Sequence, residues 1–473
     1  MAAKREPGRT PMELSDRFLK TRFAPYWFDT VSQPDEHAPL TDTVDADLAV
    51  IGGGFTGLWA ALKARERWPQ ARIVLLEARL CGNAASGRNG GFCAPSISHG
   101  VSNAVARWPM ETDSLVRLGR QNLDELEADL EAYGIDCEFE RQGKLNLAAT
   151  PWQKDGLKAM QAAYARFGIE TEYLEGQALA ERFDSPKYGA GLFEPNYGLV
   201  NPSRLVAGLR DACLARGVSI YEQTPVTALD RHGDVLRLTT PKGSVEARQV
   251  VVATNAAVPL LRRLRQAIIP IFDYTLVTQP LNEAQLAAIG WLGRYGIADT
   301  GNQFHYFRKT ADNRILWGGF DAIYHYGSRR DASLLDRAET YRRLERNFVE
   351  AFPSLSGVSF SHAWGGIIDT SARLTFFSGT GYRGQLAYAL GFTGQGVTAS
   401  RFAALCMLDM LEGKETERTT LRMLRSRAVP FPPEPFRSLA VRWAQADLAR
   451  EDRTGHRSLF LKGLDWLGIG FGS

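Results

Sequence analysis

The chain has 473 residues, 44% of them apolar and 23% charged, and 56 basic against 53 acidic side chains leave a net charge of +3. That length allows about two or three domains around a large core, and the composition is that of an ordinary globular protein. The near balance of charge excludes a basic nucleic-acid surface, and the absence of any run of about 18 apolar residues excludes an integral membrane helix.

Residues 1–39 are polar and weakly patterned, with Phe23, Tyr26, Trp27 and Phe28 grouped together. They read as an arm laid on the body through those rings. Residues 1–20 are charged throughout and lack the apolar stretch of a secretion leader, so a cytoplasmic protein is expected. Cys81, Cys93, Cys137, Cys213 and Cys406 are irregularly spaced and odd in number, which suits reduced thiols rather than a disulfide framework. The histidines do not cluster with them, and no metal site is expected.

The first strand–helix–strand unit spans 46–77. Leu48, Ala49, Val50 and Ile51 form a buried strand, followed by Gly52-Gly53-Gly54-Phe55-Thr56-Gly57. In this G-x-G-x-x-G pattern Gly52 allows a tight turn and Gly54 lets the backbone approach a pyrophosphate. Gly57 lets the following helix, 55–68, pack closely on the strand. That helix aims its N-terminal amides at the phosphates. Glu77 closes the second strand, 20 residues after Gly57, where a carboxylate accepts from a ribose diol and disfavours a 2′-phosphate. A glycine-rich turn alone would mean little; the strand before it, the helix after it and the spaced acid make this a dinucleotide site.

A helix over 110–132 carries Leu115, Leu118, Leu123, Leu126 and Leu130 at helical spacing, a core stripe. A strand is expected over 139–148 and helices over 151–167 and 175–183. Another helix runs from Asn201-Pro202-Ser203 to Arg216, with Gly217 as its stop. A strand at 218–221, a hairpin of 235–238 with 245–247, and a strand over 249–254 buried on both faces follow. Beyond a mixed region with an aromatic segment at 304–326, a strand at 386–390 leads through a glycine-rich turn into a helix over 397–412. The end, 426–473, holds a proline cluster and a basic, aromatic stretch with Trp443, Phe460, Trp466 and Phe471.

Six stretches resemble the D-amino-acid-oxidase-like superfamily of FAD-dependent oxidoreductases. They are 50–57, 85–91 (Ala-Ser-Gly-Arg-Asn-Gly-Gly), 198–202 (Gly-Leu-Val-Asn-Pro), 251–256, 364–366 (Trp-Gly-Gly) and 391–398. The nearest likeness is to the γ-glutamylputrescine oxidoreductase group, for which 85–91 is the best marker. The resemblance implies an α/β fold: an FAD-binding Rossmann-like domain assembled from separated segments, 40–109, 196–260 and 361–425. An α+β substrate domain with a mixed or antiparallel sheet takes 110–195 and 261–360, and 426–473 is a tail packed on the body. It further implies FAD held by Gly52, Gly54, Phe55, Thr56, Gly57, Glu77, Ala78 and Arg79. Ser86, Arg88, Asn89, Gly90 and Gly91 form the loop beside the pyrophosphate and isoalloxazine. Val226 meets the adenine through its backbone. Ala253, Thr254 and Asn255 end the strand under the cofactor. Trp364 and Gly366, with Gly394, Gln395, Gly396, Val397 and Thr398, approach the flavin. Some relatives attach flavin covalently through a histidine in the first loop; Arg88 stands in that region, so FAD is expected to be non-covalent. Phe92 and Gln395 depart from the group, which commonly has Gln and His there.

The implied chemistry is hydride removal from the carbon next to an amine nitrogen, giving an imine that hydrolyses to an aldehyde or keto acid. It needs a neutral, aligned amine and no essential base, and no catalytic acid or base is assigned. Oxygen or another acceptor would reoxidise the flavin. In 304–308, Phe304, Tyr306 and Arg308 share one face of a strand and His305 and Phe307 the other. Either Tyr306 with Arg308, or His305, reaches substrate; Arg308 suits a carboxylate or is an ordinary paired arginine. Trp317, Tyr324 and Tyr326 form an aromatic wall or pack the core. Asp369 pairs with an ammonium or caps a turn. Three readings remain open: an ω-amine with a distant carboxylate, a small amino acid, N-methyl amino acid or aminophosphonate, or a flavin-binding protein without amine turnover.

Overall fold

The computed structural model describes residues 14–32 and 37–470. Part of the expected arm (1–13 and 33–36) and Phe471 of the tail lie outside the described residues.

Five parallel strands form one sheet in the order Leu386–Leu390, Ser244–Val252, Thr43–Ile51, Ile73–Leu76 and Ser219–Tyr221. Their apolar runs are buried on both faces, as parallel strands under helices require. Helices Phe55–Arg67, Pro202–Ala215 and Gly396–Leu411 cover one face, and helix Thr112–Tyr133 packs outside them. Ala60, Ala61 and Ala64 meet a second helix rich in Ala399, Ala403 and Ala404, so two backbones approach closely with little side chain between them. Asp129 ties the layers: it receives Arg401 Nε at 2.6 Å and Lys63 Nζ at 2.7 Å, both cations being nearly buried.

Ser244–Val252 is one nine-residue strand. This corrects the separate reading of 245–247 and 249–254. Its first half also pairs antiparallel with Val235–Thr239, which carries Ala228–His232 beyond it, a strand absent from the sequence reading. The expected helix over 175–183 is the strand Glu172–Glu175 and one turn, Gln177–Ala180. Gly176 between them sits at φ 59°, which breaks the helix at its start. The strand expected over 139–148 splits into Glu140–Arg141 and Lys144–Ala148 at Gly143, φ 89°.

A nine-stranded, mostly antiparallel sheet forms the second layer system. Its spine is Ile268–Thr278, paired over its length with Phe360–Ser371 and flanked by Ile315–Gly319 and His305–Lys309. Lys144–Ala148 and Ala190–Glu194 continue it through Gly296–Asp299. Helix Ala338–Ala351 seals one face through Tyr341, Leu344 and Phe348, and the other face looks toward the glycine-rich loops.

The chain after 426 lies on this sheet. Val441 packs with Ile269, Ile271 and Phe431, while Asp452 accepts from Asn302 N–H at 2.7 Å and Gln303 N–H at 2.8 Å. Trp443 stacks on Phe460 with centroids 4.5 Å apart. Among the described residues no helix is long and apolar enough to cross a membrane.

Candidate active site

Three glycines shape a cradle at the ends of the parallel strands. A Cβ on Gly52, at φ 110°, would stand 2.4 Å from the Ala253 carbonyl oxygen of the neighbouring strand. One on Gly57 would stand 1.9 Å from the Gly52 oxygen, and one on Gly54 2.8 Å from Ser86 Oγ. Gly54 precedes helix Phe55–Arg67, which has no side-chain cap; Ser86 Oγ accepts from Phe55 N–H at 2.9 Å. The other first-turn N–H groups have no intrahelical acceptor and are free to meet phosphate oxygens. Glu77 accepts from Gly53 N–H at 2.7 Å and Arg79 N–H at 2.9 Å. Burial raises its pKa, those N–H groups oppose the rise, and neighbouring Glu222 adds to it. Ala78 and Arg79 are exposed beside it, and half-buried Val226 packs against the apolar cluster that includes Ile51 and Leu76. Thr254 Oγ1, buried at the strand end beneath the cradle, has no hydrogen-bond partner among the described residues. Uncapped amides, absent Cβ atoms and this orphan hydroxyl fit a bound dinucleotide.

The loop after the second strand is held by its own side chains. Asn89 Nδ2 donates to Ala85 and Ser86 carbonyls at 3.0 and 2.8 Å, and its Oδ1 accepts from Gly91 N–H at 2.8 Å. Arg88 donates to Asn83 O at 2.7 Å and Gly365 O at 3.2 Å and lies over Phe28; burial lowers its pKa. Trp364 Nε1 donates to Arg88 O and Trp27 Nε1 to Asn89 O, each at 2.9 Å. The arm thus clamps the loop through Trp27. Gly91, at φ 76°, lies against Val200 O and Arg308.

Beside this loop is a cavity of ≈ 950 Å³. Phe55, Thr56, Ser86, Arg88, Asn89, Gly90, Asn255, Trp364 and Gly366 line it, as do Gly394, Gln395, Gly396 and Val397 at the uncapped start of helix Gly396–Leu411. Thr398 does not: it is buried, and its hydroxyl donates to Ala94 O at 2.7 Å, holding the helix to the chain after the loop.

On the opposite wall, Tyr306 OH donates to Asp273 Oδ2 at 2.6 Å and lies 3.1 Å from Thr275 Oγ1. Asp273 is pushed up to about 6 by burial, and the Tyr306 hydrogen bond opposes that rise. Ile269, Ile271, Asp273 and Thr275 alternate along one face of the spine strand, and all line the cavity. Sequence reasoning missed Asp273 and Thr275; a lone acid in the apolar run 268–278 was the signal.

The structure places His305, Trp317, Arg308 and Tyr324 off the cavity, a correction to those expected contacts, and leaves Asp369 on it. His305 is fully buried away from the cavity, stacked on Trp317 at 4.2 Å, with Nε2 2.9 Å from Asn347 Nδ2; burial keeps it neutral by driving its pKa well below the ordinary value. Trp317 is core, between Phe307, Phe348 and Phe352. Arg308 is 1% exposed and lies under the loop, donating to Val200 O at 2.6 Å and facing the Trp27 ring. Tyr324 donates to Glu434 Oε1 at 2.6 Å, joining the C-terminal segment to the sheet. Asp369 lines the cavity but caps the glycine turn, accepting from Gly391 N–H at 2.6 Å and Phe392 N–H at 3.2 Å. Burial pushes it up to about 7.

The family described as "DAO: FAD dependent oxidoreductase" matches residues 47–410. Gamma-glutamylputrescine oxidoreductase of Escherichia coli K12 is 29% identical over 80% of this chain and 87% of its own. Probable oxidoreductase OrdL of Haemophilus influenzae is 27% identical over 85% of this chain and 91% of its own. The crystal structure of glycine oxidase from Geobacillus kaustophilus shares the fold, with a TM-score of 0.69 at 22% identity, covering 82% of this chain and all (100%) of that one.

Proposed function

The chain belongs to the DAO family of FAD-dependent oxidoreductases, and on that premise we propose that it oxidises the terminal carbon–nitrogen bond of an ω-amine with a charged group at its far end, as in γ-glutamylputrescine. The observation that carries this reading is the wall around Tyr306. There the ionisable group is a carboxylate, Asp273, hydrogen-bonded to Tyr306 OH at 2.6 Å. A small α-amino acid needs a cation beside its carboxylate, next to the reacting carbon. Arg308, the guanidinium nearest in sequence, is instead committed to Val200 O under the loop. An ammonium needs an anion there, and Asp273 supplies one.

The cradle residues Gly52, Gly54, Gly57 and Glu77 would hold the ADP half, and the first-turn amides of helix Phe55–Arg67 its pyrophosphate. The amides opening helix Gly396–Leu411 would face the electron-rich side of the ring. When bound, FAD supplies the acceptor for a hydride and its electron pair. The protein's own part is positioning and proton handling. Asp273 Oδ2 pairs with the substrate ammonium, takes one proton from it and leaves the neutral amine whose lone pair the oxidation needs. Tyr306 orients that carboxylate, and Phe92 and Trp364 limit where the carbon chain can lie. Water then converts the imine to aldehyde and ammonia.

The test is anaerobic bleaching of the bound flavin by a panel of γ-glutamylputrescine, putrescine, sarcosine, glycine, D-alanine and 2-aminoethylphosphonate. Bleaching by the ω-amines ahead of the small amino acids is the expected result, and the reverse order overturns the reading. Readmitting air separates an oxidase from a dehydrogenase by the speed of recolouring.

A further inference from the structure

The same cavity has a second polar end, which the amine chemistry does not use. Lys144 and Glu194 stand directly opposite each other on antiparallel strands, Lys144–Ala148 and Ala190–Glu194, and both line the cavity. Directly opposed Cβ atoms lie about 5 Å apart, within easy reach for an ion pair. None forms: among the described residues neither side chain makes a hydrogen bond or a contact ion pair. Lys144 Nζ instead lies 5.4 Å from the centre of the Tyr197 ring. Burial pushes Glu194 up to about 7 and lowers Lys144, while each acts against the other's shift. Asn146, two residues along on the same face as Lys144, also lines the cavity. Two further lining residues, His99 and Trp152, each have a buried ring nitrogen, Nδ1 and Nε1, with no hydrogen-bond partner among the described residues.

A row of rings joins this end to the amine end. Tyr306 and Phe92 are 5.9 Å apart, and Phe92 and Tyr197 6.3 Å, both edge to face. An apolar chain laid along these rings would have its amine at Asp273 and its other end between Lys144 and Glu194. Glu194 is buried and Lys144 half-buried, and opposite charges held apart in such a setting are costly unless something stands between them. A group carrying both an anion and a cation satisfies both at once.

We infer that Lys144 and Glu194 form a distal recognition site for an α-amino-acid head, Lys144 taking its carboxylate and Glu194 its ammonium, so that the substrate is an ω-amine carrying a zwitterion at its far end. The inference rests on the ω-amine reading for the identity of the reacting end, but its test does not need turnover.

The probe is γ-glutamylbutylamide, which has the head and the chain but no amine to oxidise, titrated into the flavin-loaded enzyme and followed by the flavin spectrum and by calorimetry. Glutarylbutylamide, which lacks the α-ammonium, is the comparison. The wild type is expected to bind the γ-glutamyl compound at least tenfold more tightly than the glutaryl one. Glu194→Gln should abolish that difference, and Lys144→Gln should weaken both compounds at least tenfold, with flavin content and melting temperature confirming the fold. Equal affinity of the wild type for the two probes, no binding of either, or variants that leave the preference intact would overturn the inference. If the probe pattern holds but no ω-amine bleaches the flavin, the ω-amine reading fails and the distal site stands.

Discussion

Replacing Gly57 by alanine tests the cradle at the point where it has least room. The added Cβ would stand 1.9 Å from the Gly52 oxygen, 3.0 Å from the Gly52 carbonyl carbon and 3.2 Å from Val50 Cγ1. Ordinary contact begins near 3.4 Å, so helix Phe55–Arg67 must recede by roughly 1.5 Å in an interior packed like a crystal. The obstacle is backbone and cannot rotate away, which puts the cost at the upper end of the ~1–3 kcal/mol of overpacking. The retreat also draws the first-turn amides from the phosphates. Losing one charge-assisted hydrogen bond there costs about 1.5–3 kcal/mol, or roughly 10- to 100-fold in FAD affinity. Gly463→Ala, whose added Cβ meets no described residue outside its own helix Leu459–Trp466 within 4 Å, is the control and should gain up to ~1 kcal/mol of helix propensity. The assay is the ratio of flavin to protein absorbance after desalting, with FAD titrated back into stripped protein and melting followed with and without it. A Gly57→Ala protein that melts normally and binds FAD like the wild type would refute the argument.

Three further outcomes are expected. Asp273, pushed up to about 6 by burial, must be ionised to hold an ammonium, so kcat/KM should rise with pH through about 6; Asp273→Asn should remove that limb and lower the plateau roughly 10- to 100-fold, the worth of a charge-assisted bond. Tyr306→Phe removes a donor that favours the charged carboxylate, so the same limb should move to higher pH; a shift downward would contradict the assigned pairing. Arg308→Met leaves the buried Val200 carbonyl without its 2.6 Å donor, a loss of about 1–3 kcal/mol, and should lower the melting temperature, with Arg308→Lys falling between it and the wild type.

The cradle was legible because a backbone that must touch something leaves its requirement in the sequence. Gly52, Gly54 and Gly57 sit where a Cβ would strike the Ala253 oxygen, Ser86 Oγ and the Gly52 oxygen. The far wall was only half legible. Alternation along 304–308 put Tyr306 and Arg308 on one face, but it carries no information about what lies across from that face. The loop and Val200 close over Arg308, while Tyr306 stays open to the cavity. His305 and Trp317 read equally as pocket or core because an aromatic serves both; the rings of Phe307, Phe348 and Phe352 put Trp317 in the core, and His305 is stacked on it. Lys144 and Glu194 lie 50 residues apart in the chain, and only strand register makes them neighbours. The strand Ile268–Thr278 was not read at all, and its lone Asp273 with it, because an apolar run of that length has no period to mark its faces.

The central claim is that bound FAD takes electrons from an ω-amine held at Asp273. The most direct measurement is the flavin spectrum of the purified protein during anaerobic addition of γ-glutamylputrescine, beside the Asp273→Asn variant. The account requires a yellow protein that bleaches with γ-glutamylputrescine, and a variant that retains its flavin but bleaches at least tenfold more slowly. A flavin that dithionite reduces but no ω-amine does, or a variant that bleaches as fast as the wild type, would contradict it.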